Sequence, residues 1–230
     1  MKVQIIFLLC FILALSNIAV AQPVKVINDF RFRTFIEAGK DINKKFSVFA
    51  ETELALEQNI TRMGRTYIGA GVIYAPVKFL EFETKYRYTK NRKNYSENYK
   101  NTHRIAVSGV AKHRVDRFRL SYRLQYQNID DDASWSGVYE TNRNVLKNRL
   151  RVKYNVRKSP WAPYASTELY LLNTNKIHGF NPSKLKSIAG IEYVIKGHGK
   201  AKFYYRNDKE LVNYMPYTYH TFGLGYVFSL

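Results

Sequence analysis

One cysteine, Cys10, occurs in 230 residues, and it lies inside the first apolar run. Once that run is removed the chain can form no disulfide and no thiolate metal site, so hydrogen bonding and packing must stabilise it. Carboxylates are scarce: 18 Asp and Glu face 37 Lys and Arg, a formal charge of +19. Proline is rare, at 6 residues, and no Pro/Gly/Ser-rich linker divides the sequence, which therefore reads as one domain. After Ala21 no apolar run approaches the roughly 20 residues that a membrane-crossing helix needs. There is no G-x-S-x-G elbow, no H-E-x-x-H and no other metal-ligand spacing, so the motifs of serine hydrolases and zinc enzymes are missing. We therefore expect no catalytic residues, no cofactor and no metal.

What is present begins with an address. Lys2 supplies a positive n-region, Ile5 to Leu15 an apolar core and Ala19-Val20-Ala21 an A-x-A cleavage site. Residues 1–21 thus read as a secretory signal peptide, its apolar run too short for an uncleaved anchor. Cleavage leaves Gln22 first, removes Cys10, and lowers the formal charge by one with the loss of Lys2.

The remainder alternates. From Phe118 to Gln127, Phe118, Leu120, Tyr122, Leu124 and Tyr126 occupy every second position, with Arg119, Ser121, Arg123, Gln125 and Gln127 between them. A period of two puts these sets on opposite faces of a β-strand, whereas a helix would scatter both around its circumference. The pattern recurs from Phe30 to Ala38, Phe46 to Glu57, Ile68 to Tyr74, Leu80 to Tyr88 and, more weakly, His103 to Lys112. It continues through Arg149 to Val156, Tyr164 to Leu171, Lys184 to Ile195, Lys200 to Arg206 and Phe222 to Leu230. One apolar and one charged face on every strand suits a membrane-spanning barrel, with lipid outside and a polar lumen inside. A closed barrel leaves no strand edge exposed to hydrocarbon.

Connections alternate in length. Short ones fall at Gly39–Asn43, Pro76–Val77, His113–Arg114, Lys158–Trp161 and Gly197–Gly199; long polar ones at Asn91–Asn101, Asn128–Asn144, Asn173–Pro182 and Asn207–Pro216. Bacterial barrels place short turns in the periplasm and long loops outside. Eleven strands are visible, and such barrels expect an even number. We therefore expect an all-β, antiparallel, up-and-down transmembrane barrel of twelve strands, with ten as the alternative, spanning residues 22–230. Val24 to Ile27, turning at Asn28-Asp29, would supply the extra strand.

The polar face assigns candidate lumen residues. Arg117, Arg119, Arg123, Arg149, Arg151 and Lys153, continued by Lys200, Lys202 and Arg206, form a basic arc; Glu51, Glu53, Glu81 and Glu83 form an acidic patch. Such an arc either attracts anions or is neutralised by carboxylates from the opposite wall, closing the passage. The sequence favours the second, with the four glutamates reaching Arg119, Arg123, Arg149 and Arg151. Tyr86, Tyr88, Tyr122, Tyr126, Tyr154 and Tyr193 lie on the apolar face, where they fit an interfacial girdle better than a saccharide platform.

The terminal G-L-G-Y-V-F-S-L resembles the C-terminal signal of outer-membrane barrels, although those usually end on an aromatic residue and this one ends on Leu230. The stretch D-F-R-F-R-T-F-I-E-A-G-K-D-I-N-K-K-F-S-V-F-A-E-T-E resembles the start of an uncharacterised outer-membrane family, the domain-of-unknown-function family numbered 2490. Y-R-Y-T-K-N, R-L-S-Y-R-L-Q-Y and K-N-R-L-R-V-K-Y-N extend the resemblance over most of the chain. The resemblance implies an outer-membrane barrel and no particular activity.

The expected protein is thus a structural or porin-like outer-membrane barrel of a Gram-negative cell, exported by its signal peptide. Its alternative role is a narrow conduit with a net-basic lumen favouring small anions. Its partners would be outer-membrane lipids and lipopolysaccharide, met by Lys90, Arg92, Lys93, Lys100, Lys176 and Lys209 on the loops, and the barrel-assembly machinery during insertion. Nucleic acid fits poorly, because the charges alternate along strands instead of clustering. A competing class is a lipid-modifying hydrolase or acyltransferase on the wall, using His103, His178 or His220 near the outer rim, with His113 and His198 at the other end. A soluble periplasmic β-sandwich is the third class.

Overall fold

The computed structural model describes residues 27–92, 99–131, 142–174, 177–211 and 216–230. The signal-peptide reading, Cys10, Val24–Val26 and much of the four long loops lie outside the described residues. Eleven strands follow in order: β1 (Ile27–Asp41), β2 (Phe46–Glu57), β3 (Arg62–Val77), β4 (Leu80–Arg92), β5 (Tyr99–Val115), β6 (Phe118–Asp131), β7 (Asn142–Tyr154), β8 (Trp161–Thr174), β9 (Ile177–Ile195), β10 (Gly199–Glu210) and β11 (Tyr217–Ser229). Each pairs antiparallel with the next, and β1 pairs parallel with β11, which closes the barrel.

The closure corrects the expected count. Twelve or ten strands would let first and last pair antiparallel; eleven require one parallel seam. Here thirteen residue pairs, from Ile27↔Tyr217 to Gly39↔Ser229, form it. Asn28 and Asp29 make no tight turn: they continue β1 opposite Thr218 and Tyr219. Backbone bonds from Ile27 N to the Pro216 carbonyl (3.2 Å) and from Leu230 N to the Gly39 carbonyl (2.9 Å) extend the seam past both strands. Among the described strands no sheet edge is left unpaired, the condition a lipid-facing wall would have to meet.

Two expected turns sit further along the chain. Pro76 lies in a register irregularity between Tyr74 and Val77, and the chain reverses at Lys78-Phe79 instead. Proline lacks the ladder donor, so it interrupts pairing without having to end the strand. His113-Arg114 remains in β5, and the reversal comes at Asp116-Arg117, with Asp116 at φ 52°. Aspartate tolerates that left-handed conformation better than most residues.

The polarity of the fold is inverted relative to a soluble domain. Among the described residues the buried hydrophobics are few and small, Ala55, Ala106, Val110, Val145, Ala162 and Val227, while Arg33, Glu51, Gln125, Glu168, Glu192, Arg206 and Asp208 are buried. Large apolar side chains point out: Ile68 is 64% exposed, Ile105 55% and Phe222 51%. A β-sandwich would bury this set between its sheets, so the soluble-sandwich reading fails. Inside, the wall accommodates its own aromatics. Gly223 lies beneath the Tyr204 ring, and a Cβ there would run into it.

Aromatic pairs rim the outer surface at both ends. At the short-turn end, directly opposed cross-strand pairs join Phe46 to Tyr74 (centroids 4.7 Å), Phe118 to Tyr154 (5.0 Å) and Trp161 to Tyr193 (4.6 Å). Toward the other end, polar tips find partners on the same surface. Tyr86 pairs with His103 (2.7 Å), Tyr205 with His220 (2.6 Å), and the Tyr126 hydroxyl donates to Asn144 Oδ1 (2.7 Å). Phe118 and Tyr126 are eight residues apart on β6. At about 3.4 Å per residue and a tilt of about 40°, that is roughly 21 Å of height, comparable to the ~25 Å apolar band of membrane barrels.

Leu124, 44% exposed on the outer surface of β6, lies between these rims. Leu124→Arg is expected to destabilise the barrel in bilayers by about 2–4 kcal/mol, the cost of a midplane charge. Ser121→Arg on the inner face should cost much less. Urea titration of both variants refolded into vesicles checks the difference.

Candidate functional site

The inner faces of the strands enclose a cavity of about 460 Å³. Among the described residues that line it, thirteen are cationic and five are carboxylates, Glu37, Glu51, Glu53, Glu83 and Glu168, with Tyr67, Tyr164, Tyr170 and Tyr204 between them. The excess of positive charge follows from the sequence, in which Lys and Arg outnumber Asp and Glu two to one and the strand period directs them inward.

On the wall formed by β1 to β4 the carboxylates Glu51, Glu53 and Glu83 are matched locally. Glu53 accepts from Arg33 on β1 (3.2 Å) and Arg65 on β3 (2.6 Å). Glu51 takes two bonds from Arg87, which also stacks over Tyr67 at 4.5 Å. These two residues stand on β2 and β4, and Gly69 of β3 lies in register between them. A Cβ at Gly69 would come within 2.8 Å of Arg87 Cγ, so the missing side chain lets the guanidinium cross. Glu83 pairs with Lys85 on the same strand.

The wall formed by β6 to β9 has fewer carboxylates. Glu168, 3% exposed, accepts from Arg123 (2.5 Å), Lys186 (2.8 Å) and the Tyr170 hydroxyl (2.9 Å). Glu192 holds Arg151 (2.6 Å) and Lys153. Arg149 stands in register between Arg123 and Glu168, yet Arg123 takes the carboxylate. Among the described residues neither Arg149 nor Arg104 forms an ion pair, and the buried Nε of each has no protein acceptor.

Of the sequence-assigned lumen residues, Arg123, Arg149, Arg151, Glu51, Glu53 and Glu83 line the cavity, as do Lys202 and Arg206. Lys153 lies below it on Glu192, and Glu81 pairs with Lys112 near the short turns. Arg117 and Arg119 are corrections. Arg117 sits in the β5–β6 turn with Nη1 3.4 Å from the Tyr154 hydroxyl, and Arg119 is exposed near that turn. A residue so close to a reversal stands at the barrel mouth whatever its parity. The expected cross-lumen closure is also corrected. Glu51, Glu53, Glu81 and Glu83 find cations on their own strand or one or two strands away and do not reach Arg119 or Arg149.

Glu168 and Glu192, the carboxylates that do hold the basic arc, were not singled out from the sequence. Each is the one acidic residue of its strand and stands on the inward parity, and that was the available signal. Of the histidines, His103 and His220 pair with tyrosines on the outer surface, and His113 and His198 lie toward the short-turn end. Among the described residues no group of three His, Cys, Asp or Glu side chains could hold a metal ion.

Residues 34–214 match the model of a family described as protein of unknown function DUF2490. The chain belongs to that family. In fold this DUF2490 chain is similar to the β domain of the Bordetella autotransporter Brka, with a TM-score of 0.48 and 9% identity over 74% of this chain and 76% of that one. It is similar also to LpxR from Salmonella typhimurium, with a TM-score of 0.48 and 7% identity over 80% and 84%. No curated protein matches the DUF2490 chain.

Glu168→Gln should leave Arg123 and Lys186 without a carboxylate in the interior. Removing one partner of a buried pair costs on the order of 3–5 kcal/mol, so the variant should unfold at clearly lower temperature or denaturant. Glu81→Gln, at a pair whose side chains are 28% and 32% exposed, should change stability by less than about 1 kcal/mol.

Proposed function

We propose that the protein is an integral outer-membrane barrel whose cavity is a narrow conduit favouring small anions. The membrane reading is supported by an outer surface that is apolar between two aromatic rims, and by the secretory signal expected at residues 1–21. In this orientation the short turns face the periplasm. The observation that carries the conduit is the unmatched cationic lining, above all Arg104 and Arg149. Fixed positive charge in a low-dielectric channel attracts anions and repels cations, and mobile anions replace the carboxylates that a plug would need.

Purified protein in planar bilayers under a potassium chloride gradient should give a reversal potential with chloride preferred. Arg104→Glu combined with Arg149→Glu should shift that potential toward cation selectivity. Absence of conductance, or cation preference in the unmodified protein, would overturn the reading.

A further inference from the structure

The surplus charge is gathered around one side chain. Lys147 of β7, Lys184 and Lys186 of β9 place their Nζ atoms 4.9, 4.5 and 4.7 Å from the Tyr170 ring centroid. No two of these ammoniums can therefore be more than about 10 Å apart. Arg149, two residues beyond Lys147 on the same inner face, joins them along the cavity wall.

The carboxylates nearby are already engaged. Glu168 is shared by Lys186, Arg123 and the Tyr170 hydroxyl. Asp208 holds Arg206. Lys147 donates to Gln127, a neutral amide; Lys184 lies over the ring face and, among the described residues, forms no hydrogen bond or ion pair, the carboxylate that acts on it, Asp208, being bonded to Arg206. Cation–π contacts are weaker than charge pairing and leave ammonium donors unspent. The donors come from β7 and β9 and converge on one cavity, and their ammonium and guanidinium chemistry suits an acceptor that is charged on several oxygens at once.

We propose that the Tyr170 cluster is a subsite for phosphate groups, with Lys147, Lys184 and Arg149 as ligands and Lys186 held in place by Glu168. A halide can neutralise one of these charges at a time; a phosphate dianion or a diphosphate offers several acceptors to donors at this spacing. The proposal rests on the conduit reading to the extent that anions must reach the cavity. The phosphate can be carried by a free ion or by a lipid headgroup, since the chemistry recognised is the same.

The test is calorimetric titration of the full barrel in zwitterionic detergent with sodium pyrophosphate, against sodium chloride at equal ionic strength. A parallel arm uses short-chain phosphatidic acid against phosphatidylcholine in the same micelles. Binding of pyrophosphate, weakened about tenfold by Lys184→Gln and again by Lys147→Gln, supports a site for free phosphate. Binding of phosphatidic acid alone, weakened by the same variants, supports the site and assigns its ligand to a headgroup. Lys184→Arg should restore most of the affinity. Both glutamine variants relieve repulsion between like charges, so they should resist heat at least as well as the parent, which separates lost binding from lost folding. Equal responses to phosphate and non-phosphate partners, or binding that the variants leave unchanged, would overturn the proposal. Chloride-selective conductance without phosphate binding would remove the subsite and keep the conduit; phosphate binding without conductance would do the reverse.

Discussion

Every backbone amide and carbonyl in a wall that meets hydrocarbon must find its partner inside the wall, because the surroundings offer none. The remaining features of this structure are those of a barrel that meets that requirement. Eleven strands satisfy it only through the parallel β1–β11 seam, in which Ile27–Gly39 lie against Tyr217–Ser229. Once the sheet is closed, each strand has an inside and an outside, and a period of two assigns every side chain to one or the other. Most large apolar groups take the outside, while tyrosines such as Tyr67, Tyr170 and Tyr204 line the cavity. The outer polar tips that remain, such as Tyr86 with His103 and Tyr205 with His220, pair with one another.

Closure also fixes the electrostatics. A narrow lumen forces the charged residues of eleven strands toward a common axis, where charge imbalance cannot be diluted by solvent as it is on a surface. The imbalance is unevenly distributed. The β1–β4 wall settles its charges locally through Glu51, Glu53 and Glu83, helped by the gap at Gly69. The β6–β9 wall has Glu168 and Glu192 for a larger set of cations, and among the described residues leaves Arg149, Lys147 and Lys184 without an ion pair. The interior is therefore electropositive by arrangement as well as by composition.

The architecture was largely readable in advance because alternation is a local property: Phe118 to Gln127 already states which face is which. Strand parity and the closing seam were not readable, since nothing in the residues around Asn28-Asp29 distinguishes an extra hairpin from a longer first strand paired parallel. The irregularity at Pro76 and the turn at Asp116-Arg117 shifted two expected reversals by two or three residues, within what turn chemistry alone leaves open. Inward-facing charge was legible at Arg123, Arg149, Arg151, Glu51, Glu53 and Glu83. The pairing among these charges was not, because it depends on which strands become neighbours and on gaps such as Gly69. Arg117 and Arg119 were misassigned for a related reason: parity gives the face of a residue but not its height in the barrel.

The central claim is that one alternation separates a lipid face from a charged cavity, and scanning spin labels along β6 address it directly. Cys10 is the only native thiol, so single substitutions to cysteine at each position from Arg119 to Gln127, made in a Cys10→Ser background, label one site at a time. The account predicts that collision with oxygen in reconstituted vesicles peaks at Leu120, Tyr122, Leu124 and Tyr126, and falls at Arg119, Ser121, Arg123, Gln125 and Gln127. A flat profile, a period near 3.6 residues, or the opposite phase would contradict it.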